Sequence, residues 1–234
     1  MKLAVISIIS PNLVDEARVV AVRSILDARG YTHLQKVDPL WVGWSSKLFF
    51  NIEQAYKQTD FTHLMYVDAR DVVVLASEEE VIERWKKFNH PWVYSAEPFI
   101  WSPRSFQPED YPTPNVVYRY LNSGAYIAER KHLIKWWDLW TNGGRDVPKS
   151  LPRGDQDWMA AKFIEHYPEA IQIDTNCDLF QSACGSLVEP NPRIGLMPGK
   201  VINNTTGTSP LVIHFNGGDD ITRPDRRILW DCLI

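Results

Sequence analysis

Apolar runs alternate with amphipathic segments over residues 1–100, and this alternation restricts the fold more than any other feature of the chain. The runs LAVISII, THLMYV and PWVYSA are rich in β-branched and aromatic residues, as expected of buried strands. Between them lie SSKLFFNIEQAYKQ and SEEEVIERWKKF, which have helical spacing and begin with serines suited to N-caps. Strands that alternate with helices predict an α/β fold with a parallel sheet and helices on both faces.

Weaker signals complete the expected outline. Residues 15–30 have helical spacing and end at Gly30, a residue type common just beyond a helix, and a strand is expected near His33–Val37. In the second half, AERKHLIKWWDLW and DQDWMAAKFIEHY indicate helices, while AIQI and PLVIH indicate strands. No repeat or linker interrupts the 234 residues, so we expect one mixed α/β domain.

Composition and charge argue against some classes of function. The net charge of −4 predicts no bulk attraction to nucleic acid, and no apolar run approaches the length of a membrane span. The three cysteines, an odd number without framework spacing, indicate thiols in a reducing compartment. Because MKLAVISIIS is too short for a signal peptide, we expect a soluble protein in the cytoplasm of a bacterium or of a virus-infected host cell.

Two carboxylates follow the strand THLMYV. Ligands of open α/β sheets bind outside the carboxyl ends of the strands, where Asp68 is expected. A turn at Ala69 and Arg70 would bring Asp68 and Asp71 together, and converging carboxylates need a cation or a shared proton. In the alternative interpretation, one aspartate caps the next segment and the other pairs with Arg70.

A histidine stands at the end of another expected strand. PLVIHFNGG delivers His214 into a glycine turn, where the backbone can approach a ligand closely. An imidazole beside two carboxylates suits Mn²⁺ better than Mg²⁺, which prefers an all-oxygen shell. A purely structural histidine is the alternative.

Six segments occur in a familiar order: YVDARDVVV, YSAEPFIW, YPTPNVVYRYLNSGAYIA, GDQDW, LFQSACG and VIHFNGG. Together they resemble the glycosyltransferase domain of the procollagen lysyl hydroxylase and collagen galactosyltransferase group, over about residues 60–218. The resemblance implies a GT-A fold, a Rossmann-like, mostly parallel sheet flanked by helices, which binds a UDP-sugar through Mn²⁺ or Mg²⁺. Residues 1–100 would form the nucleotide-sugar-binding half, and residues 101–234 would complete the metal site and the acceptor side.

The resemblance also implies roles for individual residues. The implied metal ligands are Asp68, Asp71 and His214; the implied donor-binding residues are Trp41 or Trp44, Lys47, Asp68, Arg70, Asn216 and Gly217. Asn122 would face the sugar, and Asp155 would be the catalytic carboxylate near donor and acceptor. Trp101 would stand at the acceptor side of the cleft. Alternatively, Asn122 caps a turn, and Asp155 caps the helix that follows, with Asp157 in its catalytic place.

The chain departs from the family pattern in three places. Arg70 replaces an aromatic residue between the two metal aspartates. A lysine expected after the glycine turn is missing, since Asp219 and Asp220 stand there. The acidic run before the Asp-Gln pair is reduced to RGDQD, which weakens the assignment of Asp155 as the base.

The resemblance therefore implies a metal-dependent hexosyltransferase that moves a sugar from a UDP-sugar to an acceptor hydroxyl. A catalytically inactive nucleotide-sugar or carbohydrate-binding module is the alternative; a nucleotidyltransferase is disfavoured because no glycine-rich, basic loop follows LAVISIIS. The acceptor is open among a protein side chain, a glycan and a hydroxylated nucleobase of phage-type DNA, against which Trp92 and Trp101 would stack. We expect an acceptor that is not collagen, and the oligomeric state is left open.

Overall fold

The structure, a computed structural model, describes residues 1–41, 43, 45–101, 105–113, 115–146, 154–184, 193–197, 200–216, 230 and 233. The α-helices are α1 Ala17–Ala28, α2 Ser45–Lys57, α3 Glu78–Lys86, α4 Arg130–Trp140 and α5 Gly154–His166. The strands are β1 Leu3–Ile9, β2 His33–Val37, β3 His63–Val67, β4 Val72–Val74, β5 Trp92–Glu97, β6 Tyr120–Glu129, β7 Gln172–Ile173, β8 Phe180–Ser182, β9 Ile194–Met197, β10 Lys200–Asn203 and β11 Val212–His214.

A six-stranded sheet forms the centre of the fold, in the order β2-β1-β3-β6-β5-β7. Strands β2, β1 and β3 are mutually parallel, and β7 is parallel to β5. Strand β6 lies antiparallel between β3 and β5, so it is the one strand of this sheet that runs in the opposite direction. The expected α/β architecture with a mostly parallel sheet is confirmed.

Alternate side chains of the central strands enter two different cores. On β3, Met65 and Val67 join the cluster that includes Leu26 of α1 and Trp85 of α3. Leu64 and Tyr66 instead join the cluster formed with α2, α4 and α5. Burial on both faces explains why β1 and β3 are continuous apolar runs rather than alternating ones.

A second sheet, in the order β4-β11-β8, continues from the end of β3. Strand β11 is antiparallel to β4, with His214 opposite Val72, and parallel to β8. The short turn between β3 and β4 thus connects the two sheets, and it places the end of β11 beside the end of β3. Strands β9 and β10 form a separate antiparallel pair.

The helix and strand predictions are largely confirmed, with corrections at several ends. Helix α3 has the expected N-cap, in which Ser77 and Glu80 form a capping box. Helix α2 begins at Ser45 itself, and α5 begins at Gly154, so Asp155 lies in the first turn and not at the N-cap. Strand β6 was not predicted as a strand. Trp92 is 3% exposed within the core, so the suggestion that it stacks on a flipped base is wrong.

Among the described residues, no helix combines the length and the apolar character that crossing a bilayer would require.

Candidate active site

The turn after β3 brings Asp68, Asp71 and His214 together. One ligand atom of each lies within 4.8 Å of the others, and His214 Nε2 is 3.6 Å from Asp68 Oδ2 and from Asp71 Oδ1. The backbone fixes this arrangement, since Asp68 N–H donates to the Gly124 carbonyl and Phe215 N–H donates to the Asp71 carbonyl. The convergence expected from the sequence therefore occurs. Arg70, in contrast, pairs with Glu16 and not with either aspartate.

A bulge in β6 forms the space that the His214 imidazole fills. Tyr94 of β5 pairs with Tyr126, but the next residue, Ser95, pairs with Asn122, so residues 123–125 have no partner on β5. A Cβ on Gly124 would lie 2.0 Å from Cε1 of His214, far inside contact distance. Only glycine therefore leaves room for the imidazole at this point of the strand.

Asn122 fixes the orientation of the same ring. His214 Nδ1 lies 2.8 Å from Asn122 Oδ1, an acceptor, so Nδ1 carries the proton and donates it. Nε2 then faces the two carboxylates, the position from which an imidazole can bind a cation. A side chain that sets the tautomer of an imidazole in this way is the usual companion of a metal-binding histidine.

The charges of these three side chains shift one another's pKa values. Burial raises the pKa of Asp68 above its ordinary value, although Lys47 acts in the opposite direction. Burial would also raise the pKa of Asp71, but the charges of His214, Lys47 and Arg18 hold it below the ordinary value. Burial would lower the pKa of His214, and the two aspartates outweigh it and raise the pKa.

The residues present fit a divalent cation. Two carboxylates and an imidazole form a mixed oxygen and nitrogen donor set, which suits Mn²⁺. The donor atoms face one another across gaps of 3.6 Å, and mutual repulsion of the carboxylates is what a cation at this position would relieve.

Lys47 links this cluster to Asp155. Its Nζ is 2.9 Å from Asp68 Oδ1 and 3.3 Å from Asp155 Oδ2, and the side chain is almost fully buried. Burial would lower the pKa of Lys47, but the two carboxylates raise it above its ordinary value, so the ammonium stays charged. The Tyr66 hydroxyl also donates to Asp68 Oδ1, at 2.7 Å. Lys47 on α2 and Asp155 on α5 thus become parts of one site.

Glu97 is a buried carboxylate of the site that the sequence analysis did not single out. Gln156 Nε2 donates to its Oε1 at 2.6 Å, and Asn216 Nδ2 donates to its Oε2 at 2.8 Å. Burial raises the pKa of Glu97 to about 7, while these amide donors favour the ionised form. The signal was present in YSAE, where a carboxylate ends an apolar strand just as Asp68 does.

A cavity of about 470 Å³ opens at these side chains. Its lining includes the following residues that the sequence predicted for the site: Trp41, Lys47, Asp68, Arg70, Asp71, Trp101, Asn122, Asp155, His214 and Asn216. Asn216 Oδ1 accepts hydrogen bonds from the Ser182 hydroxyl and the Cys184 N–H. Trp101 is 61% exposed. Gly217 and Trp44 lie outside the described residues.

Comparison with solved structures identifies the fold. The structure resembles that of a glycosyltransferase involved in the glycosylation of the major capsid of PBCV-1, with a TM-score of 0.57, 13% identity, and coverage of 98% of this chain and 100% of that one. It also resembles the galactosyltransferase LgtC in complex with donor and acceptor sugar analogues, with a TM-score of 0.54, 14% identity, and coverage of 97% and 94%. The fold is GT-A, as the sequence predicted.

Sequence comparison gives the family. Residues 45–222 match the family described as the PLOD GT domain, which is more than half of the chain, so the chain belongs to this family. Human procollagen-lysine,2-oxoglutarate 5-dioxygenase 2 is 26% identical over 181 residues, or 75% of this chain and 23% of that protein. The multifunctional procollagen lysine hydroxylase and glycosyltransferase of Caenorhabditis elegans is 30% identical over 176 residues, or 70% and 22%.

A viral protein belongs to the same set of relatives. An uncharacterised protein of Acanthamoeba polyphaga mimivirus is 28% identical over 156 residues, or 66% of this chain and 31% of that protein. The chain thus spans less than a third of the length of these relatives. Family and fold together identify it as a glycosyltransferase domain.

We predict that Gly124→Ala displaces His214 and weakens Mn²⁺ binding by about tenfold to a hundredfold, the scale seen when groups that orient a metal ligand are changed. Isothermal titration of Mn²⁺ measures the loss, and circular dichroism verifies the fold. Gly195→Ala is the matched control. A Cβ on Gly195 would lie 3.2 Å from the Asn204 side chain and would not approach His214. Equal Mn²⁺ affinity of the folded Gly124→Ala variant and the wild type would show that the position of the His214 imidazole does not affect Mn²⁺ binding.

Proposed function

We propose that the protein is a metal-dependent hexosyltransferase that moves a sugar from a UDP-sugar to a hydroxyl group of an acceptor. The observation that carries the proposal is the convergence of Asp68, Asp71 and His214 at a cavity within a fold of the PLOD GT family. The cavity lies outside the carboxyl ends of β1 and β3, where open α/β sheets bind their ligands.

The donor side is formed by the metal cluster and the residues around it. Asp68, Asp71 and His214 would hold Mn²⁺, or Mg²⁺, and the bound cation would neutralise the charge that develops on the leaving diphosphate. Trp41, Lys47, Arg70 and Asn216 line the same cavity and are proposed to contact the donor. Gly217 lies outside the described residues, so its proposed role in donor binding rests on the sequence alone.

Asp155 is the proposed catalytic base. The acceptor hydroxyl must lose a proton as it attacks the anomeric carbon, and a carboxylate within hydrogen-bond reach can accept it. Asp155 lines the cavity, and Lys47 holds one of its oxygens. Asp157 accepts a hydrogen bond from Ser105 at 2.8 Å and does not line the cavity, which favours Asp155.

Asn122 is proposed to act mainly through His214. It lines the cavity, as a residue facing the sugar would. Its Oδ1, however, accepts from His214 Nδ1 and from the Gly124 N–H, so the oxygen is committed to positioning the metal ligand. Its role in catalysis is then to hold the imidazole in the productive tautomer.

The acceptor side is proposed to include Trp101. This side chain is exposed and lines the cavity, as expected of an aromatic surface against which an acceptor packs. A protein side chain, a glycan and a hydroxylated nucleobase are the acceptor classes under consideration. The burial of Trp92 removes one of the two stacking side chains on which the nucleobase alternative relied.

We predict that Asp68→Ala and Asp71→Ala each abolish Mn²⁺-dependent binding of UDP, because each removes one of the three candidate ligands. Titration calorimetry measures UDP affinity, and release of UDP from UDP-sugars in Mn²⁺ measures turnover. Asp60→Ala is the control, since Asp60 is an exposed carboxylate outside the cavity. Unchanged UDP affinity in both variants would contradict the metal site, and UDP binding without any UDP release by the wild type would favour the inactive binding module.

Asp155→Asn should bind UDP within about twofold of the wild type and lose at least about a hundredfold in transfer rate, because a base acts only in the chemical step and asparagine keeps an oxygen that can accept a hydrogen bond from Lys47. Asp157→Asn is the matched control. Single-turnover transfer from a radiolabelled UDP-sugar separates chemistry from binding. Normal turnover of Asp155→Asn together with inactivity of Asp157→Asn would mean that Asp157 is the base.

The acceptor is tested by a panel. We expect a hexose adduct on a hydroxyl-bearing acceptor other than collagen when the protein is incubated with UDP-sugars and Mn²⁺. Hydroxylysine peptide, hydroxymethylpyrimidine DNA and a glycan preparation are offered in turn, and mass spectrometry detects the added mass. Transfer to the hydroxylysine peptide alone would overturn this expectation.

A further inference from the structure

Two guanidinium groups share a single carboxylate at one side of the cavity. Arg18 Nε lies 2.5 Å from Glu16 Oε1, and Arg70 Nε lies 3.0 Å from the same oxygen. Arg18 stands in the first turn of α1, while Arg70 stands in the turn between the two candidate metal aspartates. Glu16 therefore holds together two arginines that are 52 residues apart, and both of them line the cavity.

The arrangement leaves donor groups on the cavity side. Each guanidinium uses its Nε on Glu16, and among the described residues the four terminal nitrogens make no hydrogen bond. The side chains of Arg18 and Arg70 are 23% and 41% exposed, and both residues line the cavity. Terminal guanidinium nitrogens form a planar fork that matches the oxygens of a phosphate.

The local charge balance also favours an anion at this position. One carboxylate neutralises only one of the two guanidinium groups, so the three side chains carry a net positive charge. Arg18 lies at the N-terminal end of α1, where the helix dipole opposes a cation and favours an anion. Arg70 immediately precedes Asp71 in the chain, and Glu16 holds Arg18 beside Arg70, so this positive region lies next to the candidate metal ligands.

We propose that Arg18 and Arg70, oriented by Glu16, form a site for the diphosphate group of the donor, on the Asp71 side of the metal cluster. This assignment rests on the proposed function for the identity of the donor. The recognition of a polyanionic phosphate beside a divalent cation, however, depends only on the two guanidinium groups and the candidate metal ligands.

A different use of Arg70 has to be distinguished from this one. A guanidinium plane also stacks on a nucleobase, in which case the affinity for uridine would depend on Arg70. A phosphate site predicts the reverse: the effect of removing the arginines should grow with the number of phosphates on the ligand and vanish for the nucleoside.

The test is a titration series with Arg18→Gln, Arg70→Gln and the double variant in the presence of Mn²⁺. The probes are uridine, UMP, UDP and inorganic pyrophosphate, and calorimetry gives each affinity. Arg23→Gln is the matched control, because Arg23 also lies on α1 but does not line the cavity. Thermal unfolding of every variant verifies that the fold is kept.

We expect each single substitution to weaken UDP and pyrophosphate binding by roughly tenfold, as the loss of a charge-assisted hydrogen bond implies, and the double variant to weaken it further. Uridine affinity should stay within about twofold, and Arg23→Gln should match the wild type. The UDP affinity should also fall more steeply with added NaCl in the wild type than in the double variant.

The outcomes separate this inference from the proposed function. A double variant that binds pyrophosphate as well as the wild type does overturns the diphosphate site. An equal loss of uridine and UDP affinity also overturns it, in favour of stacking on the base. Binding of pyrophosphate but not UDP by the wild type, with loss in the double variant, supports the anion site and contradicts the UDP-sugar donor. A wild type that binds neither probe contradicts both.

Discussion

The buried ammonium of Lys47 is the interaction on which the rest of the site depends. Asp68 and Asp155 come from different elements, and each is a carboxylate removed from bulk water. Burying charges is costly unless they are paired with good geometry, and removing one partner of a buried pair costs about 3–5 kcal/mol. Because Lys47 lies within hydrogen-bond distance of Asp68 and close to Asp155, it fixes the end of β3 relative to α5. The cavity between these elements keeps its shape as a consequence.

The antiparallel strand β6 supplies the second constraint. A strand that runs against its neighbours begins where they end, so the LNSG segment of β6 lies at the carboxyl ends of β3 and β5. The bulge at residues 123–125 then turns this segment toward β11, where Gly124 makes room for His214 and Asn122 orients it. Beyond the register shift, Glu97 ends β5 opposite Tyr120 of β6, and it accepts hydrogen bonds from Gln156 and Asn216. One irregular strand thus connects the candidate metal ligands with the buried carboxylate network.

The sequence revealed those features of the site that depend on neighbouring residues, and it did not reveal those that depend on contacts between distant residues. Asp68 and His214 were found because a charged or polar side chain at the end of an apolar run is a local signal. Strand β6 was missed because Asn, Ser and Gly have low strand propensity, and its pairing with β3 and β5 is decided by tertiary contacts. Contacts such as Lys47 with Asp155, and Arg70 with Glu16, join residues far apart in the chain, and no local pattern encodes them. The fold class, by contrast, rests on periodicity that is repeated over many residues.

The order of charges around the cavity matches the charge changes of glycosyl transfer. Contacts join Arg70 to Arg18 through Glu16, and the charge of Arg18 acts on Asp71. Asp71 and Asp68 both face His214, and Lys47 joins Asp68 to Asp155. In the proposed reaction, negative charge builds on the leaving diphosphate while the anomeric carbon becomes positive. The positive charge of the two arginines would stabilise the leaving diphosphate, and the Asp155 carboxylate would stabilise the positive anomeric carbon. Because both groups are held in place by Glu16 and Lys47 before any ligand arrives, little reorganisation is required at the moment of reaction, which is the condition under which fixed charges lower a barrier most.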